Sequence, residues 1–193
     1  LMDLGPEEQQ AKLQEILATL SPEEREQLVG KQQCPFCLMT QGQIPVKIVY
    51  EDDSLMGILD INPANKGHVL LFPKDHAPLL SQVPDSIVGH MFEIANKLSS
   101  AVFEALQADG TNILVANGAV AGQSAPHVLI NIFPRFEGDK VAIGWEPKKI
   151  EEAEMDDVAN KIKSAIPKGR TKPRVIQEDL DPNDLPREDT RIP

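Results

Sequence analysis

A chain of 193 residues suits one main domain with extensions and is short for two independently cored domains. Hydrophobic residues at 41% and charged residues at 25% are globular values, although 16 Pro and only 8 aromatics point to segments that pack poorly. The net charge of -11 excludes broad, steered binding of the body to nucleic acid or an anionic membrane, and no apolar run approaches the length of a bilayer span. The acidic, Gln-rich N-terminus does not read as a signal peptide, so a cytoplasmic location is expected. Two cysteines only two residues apart cannot build a disulfide framework.

Residues 1–33 carry two helix openings of one kind, Gly5-Pro6-Glu7-Glu8 and Ser21-Pro22-Glu23-Glu24. Ser21 with Glu24 three residues on is a capping box, and Pro at the first helical position costs nothing because its amide has no intrahelical partner. Leu4, Leu13, Ile16, Leu17 and Leu20 give the first helix a narrow apolar stripe that must dock on something. From Val46 the period becomes that of strands: Val46 to Tyr50, a turn at Glu51 to Ser54, then Leu55 to Leu59, a hairpin. Gly67 to Pro73 is a third strand with an almost continuous apolar run. Pro84 to Leu106 is the longest helical pattern, with Ile87, Met91, Ile94, Leu98, Val102 and Leu106 three to four residues apart. Strands are expected at Asn112 to Ala116 and His127 to Phe133, with a short one at Val141 to Trp145. An amphipathic helix is expected over 150–166. The stretch from Pro167 to Pro193 has five prolines and no period, and cannot bury enough to fold alone.

Cys34-Pro35-Phe36-Cys37 suits half of a zinc knuckle, because a two-residue spacer lets both thiolates face one tetrahedral ion. A redox pair has the same spacing, but normally opens a helix after a strand; this pair follows a helical stretch and precedes a strand. Two inert thiols are the third alternative. Four histidines could complete a metal site. His90 lies inside the long helix and reads as a surface residue, His68 and His76 flank the third strand, and His127 opens a later one.

Taken with Ile44-Pro45 leading to Val49-Tyr50-Glu51-Asp52, Leu59-Asp60-Ile61-Asn62-Pro63, Gly67-His68-Val69-Leu70, Pro73-Lys74-Asp75-His76, Asn117-Gly118 to Ala121-Gly122-Gln123-Ser124, and His127 to Arg135, the Cys pair gives the chain a resemblance to the histidine-triad (HIT) family of nucleotide hydrolases and transferases. It resembles the compact branch with an N-terminal Cys-x-x-Cys. The resemblance spans residues 34 to about 140 and implies an α+β fold: a mostly antiparallel five-stranded sheet with the long helix packed on it, paired through that helix and the adjacent strand into a homodimer. The implied layout is an N-terminal helical extension over 1–33, a HIT-like domain over 34–146, a C-terminal helix over 147–166 and an extended Pro-rich charged tail over 167–193.

The resemblance implies a zinc ion held by Cys34, Cys37, His76 and His127. It also implies residual nucleotide-binding positions at Asp60, Ile61, Gly122, Gln123, Ser124 and Asn131, with Asp60 accepting from ribose hydroxyls; the plain alternative for Asp60 is a turn residue at a strand end. The family pattern His-x-His-x-His reads His127, Leu129, Asn131 here. Strand alternation puts these three on one face, so Leu129 points where the nucleophile should. A Leu side chain has no lone pair and forms no nucleotidyl intermediate. Ala116 stands where relatives usually have a phosphate-contacting Asn. No catalytic residue is therefore assigned. Archaeal-type members resemble this chain in their Ser-Pro-Glu-Glu lead and in an apolar residue at the middle position.

Lys168, Arg170, Lys172 and Arg174 put four cations in seven residues of the tail, followed by Glu178, Asp179 and Asp181. This is either a self-neutralising linker or an arm for RNA or an acidic protein surface. Three functions follow: a zinc-stabilised HIT-like binding module for a purine nucleotide, an RNA end or a protein assembly; a HIT-class hydrolase with a substituted nucleophile, His68 being the nearest candidate; and a ribosome- or translation-associated factor using its terminal segments as arms.

Overall fold

The computed structural model describes residues 34–167. These run as α1 (Pro35–Thr40), β1 (Ile48–Glu51), β2 (Leu55–Leu59), β3 (Val69–Pro73), α2 (Asp85–Leu106), β4 (Gly110–Val115), β5 (Ile130–Arg135) and α3 (Glu152–Ala165), with 3-10 turns at Leu80–Gln82 and Ala119–Ala121. The strands form one antiparallel sheet in the order β1-β2-β3-β5-β4. The expected α+β class and five-stranded sheet are what the chain forms. The two expected N-terminal helices and the tail from residue 168 lie outside the described residues.

Side-chain alternation along the strands sorts the core into two layers. Leu55, Val69, Leu71, Ile130 and Ile132 point to one face, where Met91, Ile94, Ala95 and Val102 of α2 cover them. Met56, Ile58, Leu70 and Phe72 point to the other, beneath Cys34, Phe36 and Cys37. The nearly unbroken apolar run of β3 has its reason here: the strand is central, and all five of its residues are buried. Each fully buried Leu, Ile or Met contributes about 1.5–3 kcal/mol. Gly57 belongs to the α2 face, and a Cβ on it would lie 3.2 Å from Tyr50 Cβ and 3.6 Å from Leu98 Cδ1. Its bareness lets the long helix sit close on the sheet. Asp85 in the first turn of α2 complements the helix dipole, and Gln107 ends the helix in the left-handed conformation at φ 52°.

The turn between β1 and β2 is an Asp-centred hub. Asp52 Oδ1 accepts the amides of Ser54 (2.8 Å) and Leu55 (2.7 Å), while Oδ2 accepts Tyr50 Oη–H at 2.6 Å and pairs with His90 Nε2 at 2.7 Å. His90, expected as a plain surface histidine, thus ties α2 to the hairpin. The hydrogen bond to Asp52, with burial, pushes the Tyr50 phenol up to about 12. At the far end of β5, Arg135 grips both carboxylate oxygens of Asp139 at 2.7 and 3.0 Å.

Two expected strands differ from the observed ones. Val141 to Trp145 forms no strand, because its approach is taken up by the Arg135–Asp139 clamp, in which Arg135 also donates to the Val141 carbonyl at 2.6 Å. The strand expected to open at His127 joins the ladder only at Ile130. Pro126 has no N–H to offer a ladder, and Val128 N–H goes instead to the Ala77 carbonyl at 2.8 Å, beyond the end of β3. The described chain divides after Ile143 into two compact units. The second holds α3, whose Met155, Val158 and Ile162 run along one side and are exposed. Among the described residues no helix is long and apolar enough to cross a membrane.

Candidate metal centre and adjoining groove

Cys34 caps α1 and Cys37 lies three residues on, so the first turn of the helix turns both thiols to one side. The pair thus opens a short helix and does not simply precede a strand; its position alone does not separate zinc from redox chemistry, and its neighbours do. His76 lies three residues past the end of β3 and His127 three before β5. The ligand atoms of all four residues lie within 4.8 Å of one another. Cys34 Sγ is 3.5 Å from His127 Nδ1, Cys37 Sγ is 3.3 Å from His76 Nδ1, and Cys37 Sγ is 3.8 Å from His127 Nδ1. A tetrahedron with Zn–S of about 2.3 Å and Zn–N of about 2.0–2.1 Å has S···N edges of about 3.6 Å, so the donor set fits such an ion.

The surroundings select the ligand form of His127. Its Nε2–H donates to the Pro73 carbonyl at 2.9 Å, which leaves the Nδ1 lone pair facing the sulfurs. Burial pushes its pKa down to about 4 against the pull of the Pro73 carbonyl, and the nearby His76 adds to the fall. Phe36 and Phe72, in edge contact at a ring distance of 5.0 Å, flank the imidazole and keep the corner dry.

Leu129 and Asn131 share a wall with His127, as strand alternation requires. With Ala116, Gln123 and Ser124 they line a small cavity of about 70 Å³. Ser124, Ala125, Leu129 and Asn131 also border a larger groove of about 460 Å³, whose floor and sides are Phe36, Ile58, Leu70, Asp60 and Ile61. Each sequence-expected nucleotide position therefore lies at one or the other. Ile61, 86% exposed, forms part of the rim.

Most of the polar groups there are already engaged. Gln123 Nε2 donates to the carbonyls of Pro78 (2.6 Å) and Ala125 (3.0 Å), and its Oε1 accepts the Gly118 amide at 2.7 Å. This one side chain holds together a loop in which Gly118 and Gly122 adopt φ of 88° and 90°. Asn117, next to Ala116, does not replace the missing Asn: its Oδ1 accepts the Leu80 amide at 3.0 Å. Asp60 is both a turn residue and a groove residue, since Oδ1 accepts the Asn62 amide at 2.9 Å while Oδ2 lies 3.3 Å from His68 Nδ1.

His68 is buried and doubly committed. Its Nδ1 meets the Ala64 amide at 3.2 Å and Asp60 Oδ2 at 3.3 Å, and its Nε2 lies 3.2 Å from Asn131 Oδ1. Burial holds its pKa below the ordinary histidine value despite Asp60 and Asn131. Asn131 in turn donates to the Leu114 carbonyl at 3.3 Å. With both ring nitrogens engaged by protein groups, His68 presents no free nitrogen as a nucleophile, which weakens the strand-geometry argument for it. Asn65 went unread in the sequence: its Nδ2 bonds both the Pro134 carbonyl and Asp139 Oδ2 at 2.8 Å, locking the loop after Asp60 to the end of β5. Only the Asn-Pro and Gly punctuation around it hinted at an ordered loop.

The chain matches the HIT domain over residues 41–138. It is 39% identical over 130 residues to an uncharacterised HIT-like protein of Methanocaldococcus jannaschii, an alignment covering 67% of this chain and 98% of the relative. It is 43% identical over 106 residues to an adenylylsulfatase of Arabidopsis thaliana, 55% of this chain but 54% of that protein. A zinc-bound histidine triad family protein of Mycobacterium smegmatis superposes with a TM-score of 0.56 at 34% identity, covering 70% of this chain and 99% of that one. With all five strands of the sheet and the long helix lying within the matched residues, the chain belongs to the HIT domain family.

Proposed function

We propose that this chain is a zinc-holding HIT-family protein that binds a purine nucleotide-type ligand and carries out no nucleotidyl transfer. The observation that carries this is the pairing of a complete four-ligand corner with Leu129 on the adjoining groove wall. Zinc bound there would tie α1 to the segments around β3 and β5, and its role is structural: all four positions are taken by protein donors, which leaves none open for a substrate. The groove is large enough for a nucleoside and offers Asp60 to ribose hydroxyls. The A. thaliana relative's name supports a nucleotide-type ligand, while Leu129 separates this chain from turnover of one.

Two finer assignments accompany this. A homodimer through α2 and β4 is supported by the edge position of β4 and by Phe92, Phe103, Ile113 and Leu114, all more than 40% exposed. A ribosome, RNA or protein partner for residues 1–33 and 167–193 is supported by their charge pattern alone, and an archaeal-type subgroup by the Ser-Pro-Glu-Glu lead. Metal analysis of the purified protein checks the centre, with about one zinc per chain expected. An adenosine phosphoramidate assay checks the chemistry: turnover is expected at least about 10³-fold below an enzyme retaining the nucleophile, and turnover at the rates of such an enzyme would overturn the proposal.

A further inference from the structure

The apolar side of α3 leaves much of itself in water. Met155 is 55%, Val158 45% and Ile162 60% exposed, and their three- and four-residue spacing sets them in one stripe. The rest of the helix is Ala, Asn, Ser and charged residues. A helix of 14 residues is marginal in water unless such a stripe is buried.

The charges beside the stripe indicate what buries it. At about 100° per residue, Glu154 and Lys161 border it on one side, and Glu152 and Lys163 on the other. The helix dipole favours acids early and bases late, but it asks neither that they flank the apolar residues nor that the two borders match. Here they match: both acid–base pairs have the same midpoint, between Asp157 and Val158. When two such helices lie antiparallel about that midpoint, Glu154 of each meets Lys161 of the other, and Glu152 meets Lys163. The apolar residues then alternate along the seam, Met155 of one helix falling between Val158 and Ile162 of the other. A parallel pair sets acid beside acid and base beside base. Within one chain Lys161 holds Asp157 at 2.6 Å, and an ammonium with three donors takes a second carboxylate from the same border. Residues 1–33 complement α3 less well: alongside Leu13, Ile16, Leu17 and Leu20 they offer Lys12 and Glu15, one cation and a further acid. We propose that α3 is an interaction face for the α3 of a second copy of this chain, laid antiparallel about the midpoint between Asp157 and Val158. The contact is independent of the groove and of the α2–β4 surface. Two helices of this length bury less than a standard interface, so it is weak and exchanges freely.

Cross-linking of the full chain tests it. Val158→Cys puts a thiol at the centre of the seam and Asn160→Cys puts one on the opposite side of the same helix, while the native Cys34 and Cys37 are buried and the parent chain serves as the blank. With a short bismaleimide at high protein concentration, Val158→Cys is expected to give at least about fivefold more covalent dimer than Asn160→Cys. Equal yields would overturn the pairing and leave the face to residues 1–33 or to another protein. Glu154→Lys and Lys161→Glu are then added separately to Val158→Cys. Each alone sets like charges opposite one another and is expected to cut the yield about threefold or more, whereas an equal mixture of the two restores it, because the contacts between unlike chains are again attractive. A loss of helix stability is not cured by mixing. A mixture no better than its components would overturn the antiparallel register.

Discussion

The metal corner and the groove beside it share one stretch of chain, and a single residue, Val128, separates His127, which belongs to the first, from Leu129, which belongs to the second. At the corner, four donors of the right type converge with edges of 3.3 to 3.8 Å, and a backbone carbonyl sets the tautomer of the deepest one. In the groove, Leu129, Ala116 and Ala125 stand beside Gln123, Ser124 and Asn131, and the Gln123 and Asn131 amides bond to the protein. The contrast teaches how differently two functions of one fold depend on single residues. A metal ligand holds together distant segments, so its loss is felt as stability. A nucleophile bears no structural weight, so Leu can replace it in a wall where its side chain packs against the Phe36 and Phe72 cluster.

The strongest way to break the contrast is Cys34→Ser. Structural zinc contributes on the order of 10 kcal/mol to small folds, and losing one buried thiolate is expected to lower zinc content well below one per chain and the thermal midpoint by about 10 °C or more. A midpoint shift under about 3 °C with the zinc gone would mean that packing alone holds α1 on the sheet. Gln123→Ala is next. It strands the Gly118 amide and two carbonyls at a cost of about 1–3 kcal/mol, a few degrees in midpoint, while zinc stays bound; loss of zinc would show that corner and groove loop are one unit.

Leu129→His probes the groove from the other side. Alone it is expected to raise phosphoramidate turnover less than about tenfold over background, since Ala116 still offers no donor and Asn131 still caps His68, and adding Ala116→Asn should raise it further. A large gain from the single change would mean that the site lacks only its nucleophile. The smallest effect concerns Asp139, which helps to lock the loop after Asp60. The Arg135 guanidinium, with the Val141 amide, holds its carboxyl well below the usual range. A depressed carboxyl stabilises above the unfolded value of about pH 4, and that stability is lost as pH falls through the folded value. Asp139→Asn should therefore lower the midpoint at pH 7 and converge with the parent in acid; a gap that persists undiminished would assign the effect to packing.

The period-2 runs around 48–59 and 67–73 and the 3.6 period of 84–106 are local patterns, and the sheet and α2 appear where they predict. Hydrophobic burial uses every residue of such a run, which is why the pattern is legible. The set Cys34, Cys37, His76 and His127 followed from the resemblance to the HIT family; residue types and spacing alone left zinc, a redox pair and inert thiols open. The inability of Leu129 to form a covalent intermediate is also a property of the side chain itself, readable without any coordinates.

What only the tertiary structure decided involves partners distant in sequence. That His127 presents Nδ1 to a thiol 93 positions away depends on a carbonyl at Pro73. That His68 is capped at Nε2 depends on Asn131, 63 positions on, and that His90 is no idle surface residue depends on Asp52. The late start of the fifth strand and the missing sixth were misread because Pro126 and the Arg135–Asp139 clamp act through contacts that carry no periodicity. Residue types and local periods set which elements form and which chemistry is available. Hydrogen bonds between segments far apart in the chain decide which lone pair is free to be used, because direction and tautomer exist only once the partner is in place.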